Sequence, residues 1–337
     1  LSRKIPGRKI GLLELVAIFL PDIFLLPRIL RANTSGEASM RSLVIAAAIL
    51  LIATFTAKTQ EREKPFIQDY VKAVVGAPPA ALGVDPFYKK YADALGVSIL
   101  SSEKVPDAAL LVARDIVIHM LAKRPDLRAE MVKKKMRVGV MAQSESTTDI
   151  PEHRDRKRPG RDDPRLTPGE KANYDKPGGI ASMTDKEYWD RRARGLGGNP
   201  TTCAEENLLG YPGTRYFGEN IFVHEFAHGI MGVAIRTADP GLFAEIQTVY
   251  KEAMAKGLWK NHYASTNANE YWAEGTQTWF WSNYEYRDGE QRVQTPEDLQ
   301  RYDPKLYELL SRVYADHRIP LDVYHGKNIP PPRRRAQ

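Results

Sequence analysis

The chain has 337 residues, of which 42% are apolar, enough for a substantial core in one large domain or two lobes. Its formal net charge of +7 excludes less than it suggests: residues 1–57 hold seven Lys/Arg against three Asp/Glu, and the remainder carries only +3. No interleaved basic and aromatic stripe speaks for a nucleic-acid partner, and a lone Cys203 excludes an internal disulfide and reads as a packed small residue.

Residues 1–39 read as a leader, with Met40 well placed as the true start. Their apolar run, Ile10 to Leu26, is interrupted by Glu14, Pro21 and Asp22, which makes a weak membrane span. Met40-Arg41-Ser42 opens a second run, Leu43 to Thr56, which ends at Ala57 before the polar Lys58-Thr59-Gln60. A short basic start, an apolar stretch and a small residue before the break give residues 40–57 the form of a secretory signal. Phe55 fits poorly at the minus-three position for cleavage after Ala57. Retention as a membrane anchor is therefore the second reading, and a membrane hairpin of both runs the third. The expected address is secreted or extracytoplasmic, with membrane anchorage if the segment stays.

Residues 58–330 are expected to form the catalytic domain, in three parts. Residues 58–143 alternate helix and strand: Val97–Leu100 and Met136–Met141 read as short strands around a helical spacing from Ala108 to Lys123. His119, on that helix's apolar side, reads as a core histidine. A strand beside an active helix is useful, because an exposed sheet edge can hold an extended peptide by main-chain pairing. Residues 144–201 are poor in apolar side chains and rich in Pro and Gly, and crowd charge into His153-Arg154-Asp155-Arg156-Lys157-Arg158. They read as a long polar loop with His153 exposed; a loop of this length can also wrap or gate a cleft.

Residues 202–330 are expected to be helical. His224-Glu225-Phe226-Ala227-His228 puts two histidines four apart, on one helical face, where both can reach a single ion. The apolar flanks Ile221-Phe222-Val223 and Ile230-Met231 bury this helix, and burying His, Glu and His together is costly unless something pairs with them. Catalytic zinc typically takes three protein ligands and leaves a fourth position for water. Glu270-Tyr271-Trp272-Ala273-Glu274 supplies the third candidate, with Glu270 as ligand and Glu274 as outer partner to a ligating histidine. The spacing also admits the swapped roles. Glu225, beside the ion, is placed to act as general base. Gly229 and Gly232 weaken the metal helix but allow another backbone to approach. Asp239-Pro240 opens a helix that stops at Gly257, and Thr295-Pro296-Glu297-Asp298 opens another running through Leu306, Leu309, Leu310 and Val313. Residues 331–337 form a basic tail.

A helix with HExxH followed by a helix with ExxxE resembles the gluzincin metallopeptidases. The string of Glu, two aromatics, Ala and Glu is similar to that of the anthrax lethal factor-like protease domain family. The resemblance spans Phe222 to Trp279, and the 41 residues between His228 and Glu270 lie within what such enzymes use. It implies an α+β zincin-like fold, one catalytic Zn2+ on His224, His228 and Glu270, and water attack on a peptide carbonyl with Glu225 moving the proton. A tyrosine seven residues before the glutamate ligand helps to stabilise the oxyanion in that family, and Tyr263 stands at that offset. Tyr284 and His262 are the alternative donors. The chain lacks the Gly-x-Met-Glu-Asn signature of gluzincin aminopeptidases; Gly218-Glu219-Asn220 sits too close to His224 to serve. That favours a secreted zinc endopeptidase acting on peptide or protein substrates. The rival is a catalytically idle, zinc-stabilised binding or adhesion module, which the presence of Glu225 disfavours because structural zinc needs no general base.

Overall fold

Strands β1 (Lys90–Ala94), β2 (Val97–Ser101), β3 (Arg137–Met141) and β4 (Thr201–Ala204) lie side by side in sequence order. The computed structural model that shows them describes residues 74–164, 166–320 and 323. The leader, the signal or anchor segment and the basic tail lie outside the described residues. β1 and β2 form an antiparallel hairpin, whereas β2–β3 and β3–β4 pair in parallel. Parallel neighbours need crossovers. The first is made by α1 (Asp107–Met120) and α2 (Pro125–Lys133), the second by residues 142–200. Every residue of β2 and β4 is buried, as expected of strands covered on both faces. Cys203, in β4, is fully buried. His119 is a core histidine: it is buried on α1, with Nδ1 2.9 Å from His317 Nε2 and the two rings stacked.

The expectation of a featureless loop over 144–201 is corrected. This crossover folds into α3 (Pro168–Asn173), α4 (Asp185–Arg192) and short 3-10 turns. Thr167 with Glu170 and Thr184 with Glu187 form capping boxes that start the two helices. Leu166, Tyr174, Ile180, Tyr188 and Trp189 gather into a small apolar core of their own. His153, expected at the surface, is 2% exposed. Its Nδ1 accepts from Arg156 Nε at 3.2 Å, and burial together with the Arg156 charge lowers its pKa to about 4.

After β4 and the single turn α5 (Glu205–Leu208) comes α6 (Ile221–Gly229), the HExxH helix, which continues as a π-helical segment over Ile230–Ile235 and ends in α7 (Arg236–Ala238). A β-carbon on Gly229 would come within 2.9 Å of Met136 Cε and Thr201 Oγ1, so the small residue lets α6 lie close on the sheet; Gly232 faces open space. α8 (Pro240–Ala255) begins with Asp239 accepting from the Leu242 amide. α9 (Ala268–Trp279) carries the ExxxE string and packs against α6. A small hairpin, β5 (Tyr286–Asp288) and β6 (Gln291–Val293), leads to α10 (Pro296–Tyr302) and α11 (Pro304–Tyr314). The single helix expected from Thr295 onward is thus two. Pro304 offers no amide hydrogen and fits the first turn of a new helix, and Asp303 caps that helix by accepting from the Leu306 amide at 3.2 Å. Asp303 also accepts from Trp259 Nε1 at 2.9 Å and the Tyr271 hydroxyl at 2.6 Å, which ties α9 to the helices behind it. The architecture is mixed α+β. Among the described residues no helix is long and apolar enough to cross a membrane.

Candidate metal centre

Two helices bring the site together. α6 is fixed by Phe222, Val223, Phe226 and Ala227, all fully buried, and its first turn is capped by Asn220, which accepts from the Val223 amide at 3.1 Å. α9 starts on Asn267, whose side chain accepts from the amides of Asn269 and Glu270. That cap sets the first turn of α9 with Glu270 facing α6.

His224 Nε2 lies 3.0 Å from Glu270 Oε2 and 3.1 Å from His228 Nε2, and His228 Nε2 lies 3.3 Å from the same carboxylate oxygen. Three donors each about 2.0–2.1 Å from one ion would stand about 3.3 Å apart in a tetrahedron, so the triangle fits a zinc-sized cation. His224, His228 and Glu270 are the group among the described residues whose ligand atoms could hold a metal ion.

The hydrogen bonding behind His224 settles its tautomer. Gln277, fully buried, donates through Nε2 to the carbonyls of Asn220 at 3.1 Å and Ser282 at 3.4 Å. Its Oε1 must then face His224 Nδ1, 2.9 Å away, and accept a hydrogen bond from it. With Nδ1 occupied in this way, Nε2 faces the triangle, holding a proton against Glu270 or, once that proton is displaced, offering its lone pair to a cation. Glu274, expected on sequence as the outer partner, stands beside the same nitrogen without hydrogen-bonding it. Its Oε1 is 3.6 Å from His224 Nδ1, beyond hydrogen-bond reach, while its Oε2 accepts from Asn283 Nδ2 at 2.5 Å and lies 3.8 Å from His262 Nε2. Glu274 therefore contributes charge, and Gln277 contributes the hydrogen bond.

The centre is strongly negative. Burial alone would lower the His224 pKa, but the hydrogen bond that Glu270 accepts from it and the charges of Glu225, Glu274 and Glu270 override this and raise it to about 10. Burial would raise the Glu270 carboxyl, and the two histidines instead hold it well below the usual carboxylate range. A site that attracts a proton this strongly attracts a divalent cation for the same reason, and the two compete. Burial pushes the Glu225 carboxyl up, against the opposing pull of His224 and His228 and of the Gly197 amide.

The segment after α4 closes over Glu225 and His228 of α6. Leu196 and Thr202 exchange antiparallel backbone hydrogen bonds at 3.2 and 2.8 Å, so residues 195–197 run along β4 as a short extra edge. A β-carbon on Gly195 would meet Glu225 Cγ at 3.1 Å and the Thr202 carbonyl at 3.0 Å, and one on Gly197 would meet His228 Cβ at 2.5 Å. Only glycine allows this approach. Tyr263, in a 3-10 turn before α9, stacks its ring 6.2 Å from that of His224 and is 45% exposed. Burial of its inner side, then the Glu270 charge, pushes its phenol pKa up, which keeps it a proton donor. Of the alternative donors, Tyr284 gives its hydroxyl to the Phe217 carbonyl at 2.8 Å, and His262 stands against Glu274. Sequence reasoning missed Gln277, Gly195 and Gly197. Gln277 lies seven residues after Glu270, two turns along the same helical face, which was the available signal. It also missed Tyr216, half-buried, whose phenol pKa is raised by burial and which feels the charge of Glu225.

No protein-family model matches the chain. No curated protein matches its sequence.

Proposed function

We propose that this chain is a gluzincin-type zinc endopeptidase on a zincin-like scaffold, secreted or held at a membrane by its N-terminal segment. The observation that carries the reading is the 3.0–3.3 Å triangle of His224, His228 and Glu270 with a carboxylate, Glu225, on the same helix between the two histidines. His224, His228 and Glu270 would hold the zinc. When bound, the ion supplies Lewis-acid polarisation of a carbonyl and makes water acidic enough to ionise near neutrality.

The rest belongs to the protein. Glu225 takes the proton of the attacking water and returns it to the leaving nitrogen, a role suited to a carboxyl whose proton affinity burial has raised. Tyr263 donates to the oxyanion that develops on the scissile carbonyl. Gln277 keeps the His224 lone pair aimed at the metal. Residues 195–197, beside Glu225 and antiparallel to β4, offer backbone against which an extended peptide can lie.

The test is metal content and peptide cleavage in wild type and Glu225→Gln. Wild type should hold one zinc and cleave. The variant keeps the side-chain shape and should keep zinc and fold while losing about 10²- to 10⁴-fold in rate. Equal rates would remove the mechanism. Stoichiometric zinc without cleavage of a broad peptide library would favour the binding-module reading.

A further inference from the structure

A cavity of about 340 Å³ opens at the C-terminal end of α4. Three of its lining side chains are arginines, Arg191, Arg192 and Arg215, against one carboxylate, Glu170. The volume lies at the small end of the range for ligand pockets and suits one or two side chains rather than a cofactor.

Two of the three guanidinium groups, those of Arg192 and Arg215, are held in place rather than left to sweep through solvent. Arg192 pairs with Glu170 and lies over the Tyr188 ring, 5.8 Å from its centroid. Glu170 is itself fixed, because its other oxygen accepts from the Thr167 amide at 2.8 Å in the capping box. Arg215 donates to the Arg191 carbonyl at 2.6 Å and lies 5.1 Å from the Tyr216 ring centroid. Rotamer entropy that a ligand would otherwise have to overcome is thus already lost in the free protein. Glu170 neutralises one of the three charges, and the wall stays cationic.

The cavity and the metal centre are linked through one short stretch of backbone. From Arg192 the chain runs through Ala193 and Arg194 into Gly195 and Gly197, which rest on Glu225 and His228. The Tyr216 hydroxyl reaches the Arg192 carbonyl at 3.5 Å, and the same tyrosine feels the Glu225 charge. Arg192 is close enough to Tyr263 for its charge to act on that phenol.

We propose that this arginine-walled cavity receives an acidic side chain of the bound peptide, so that the enzyme selects substrates with Asp or Glu close to the cleaved bond. The inference rests on the peptidase reading for the word substrate, but the anion site itself is testable without turnover. Planar guanidinium groups match a carboxylate in both charge and geometry, and a neutral amide of the same shape would leave them unanswered.

The probes are fluorescein-labelled, C-terminally amidated octapeptides in which one Glu, Gln or Lys is scanned along a neutral background. Binding is read by anisotropy on full-chain Glu225→Gln loaded with zinc, and kcat/KM on wild type. At one position Glu should bind about 10- to 100-fold tighter than Gln, the value expected of a charge-assisted hydrogen bond, with Lys weakest. Adding Arg191→Glu and Arg215→Glu should reverse that order, with zinc content and Tm as the check on folding. Equal affinity of Glu and Gln peptides at every position, or a preference that survives charge reversal, overturns the proposal. A gain confined to peptides with a free C-terminus overturns it in favour of a terminal carboxylate. Cleavage with no acidic preference sinks this inference and leaves the peptidase standing; acidic preference in binding without any cleavage does the reverse.

Discussion

Replacing Gln277 by Leu tests whether the metal centre is organised from behind. The substitution keeps volume but removes the acceptor for His224 Nδ1 at 2.9 Å and the donor to the Asn220 and Ser282 carbonyls. The effect on folding should be small, on the order of 1–2 kcal/mol, because both carbonyls keep another donor. Ser282 accepts from the Asn220 amide at 2.9 Å, and Asn220 is the cap whose carbonyl joins the α6 ladder. The effect on metal should be larger in proportion. Without its anchor the imidazole can turn or carry its hydrogen on Nε2, and loss of such a partner typically weakens zinc about 10- to 100-fold. Glu274→Gln is the comparison: at 3.6 Å from Nδ1 it removes charge but no hydrogen bond to His224, and the loss should stay under about 10-fold. Zinc affinity is read by competition with a chromophoric chelator at neutral pH, and Tm is measured in EDTA so that folding is separated from metal. If Gln277→Leu binds zinc like wild type while Glu274→Gln loses it, Glu274 and not Gln277 orients His224.

Two further outcomes follow from other parts of the molecule. Tyr263→Phe keeps the ring over His224 and removes only the hydroxyl, so it should lower kcat by about 10²- to 10³-fold with little change in KM; an unchanged kcat would return the donor role to His262 or Tyr284. His153 gives a pH signature: its folded pKa, about 4, lies below the ordinary value near 6.5, so the unfolded chain binds the extra proton. Its contribution to stability is complete above about pH 6.5 and is lost as pH falls toward 4, by up to about 3 kcal/mol. Urea unfolding in EDTA across that window should show a shallower acid slope for His153→Gln than for wild type, and parallel slopes would contradict the burial argument.

The local part of this protein was legible in its sequence. Helical period alone puts His224 and His228 on one face, and the capping pattern Asn267 to Glu270 starts the second helix at the residue that faces them. Asp239-Pro240 and Thr295-Pro296 mark helix starts because proline and a capping side chain act within one turn. Asp303-Pro304 carries the same signal, masked by an apolar period that continues across it. The two capping boxes in residues 167–187 were also written in the chain, but high charge hid a core of five residues that form an interior only when gathered.

What tertiary structure decided is everything that depends on which surfaces meet. Glu274 and Gln277 both lie on α9 within reach of His224, and spacing cannot choose between them; the packing of α9 on α6 brings Gln277 Oε1 to 2.9 Å and leaves Glu274 at 3.6 Å. His153 looked solvated because its sequence neighbours are charged, yet burial depends on what folds over a residue, and Arg156 lies against its ring nitrogen. Nothing local to Gly195 and Gly197 shows that β4 and α6 come to lie beside them, where a β-carbon would stand only 2.5–3.1 Å from Thr202, Glu225 and His228. The arginine cavity likewise exists only because Arg215, from a loop after α5, returns to the end of the helix that carries Arg191 and Arg192. Periodicity fixes where a side chain points along its own element, while the partner it meets is set by the long-range closure of the chain.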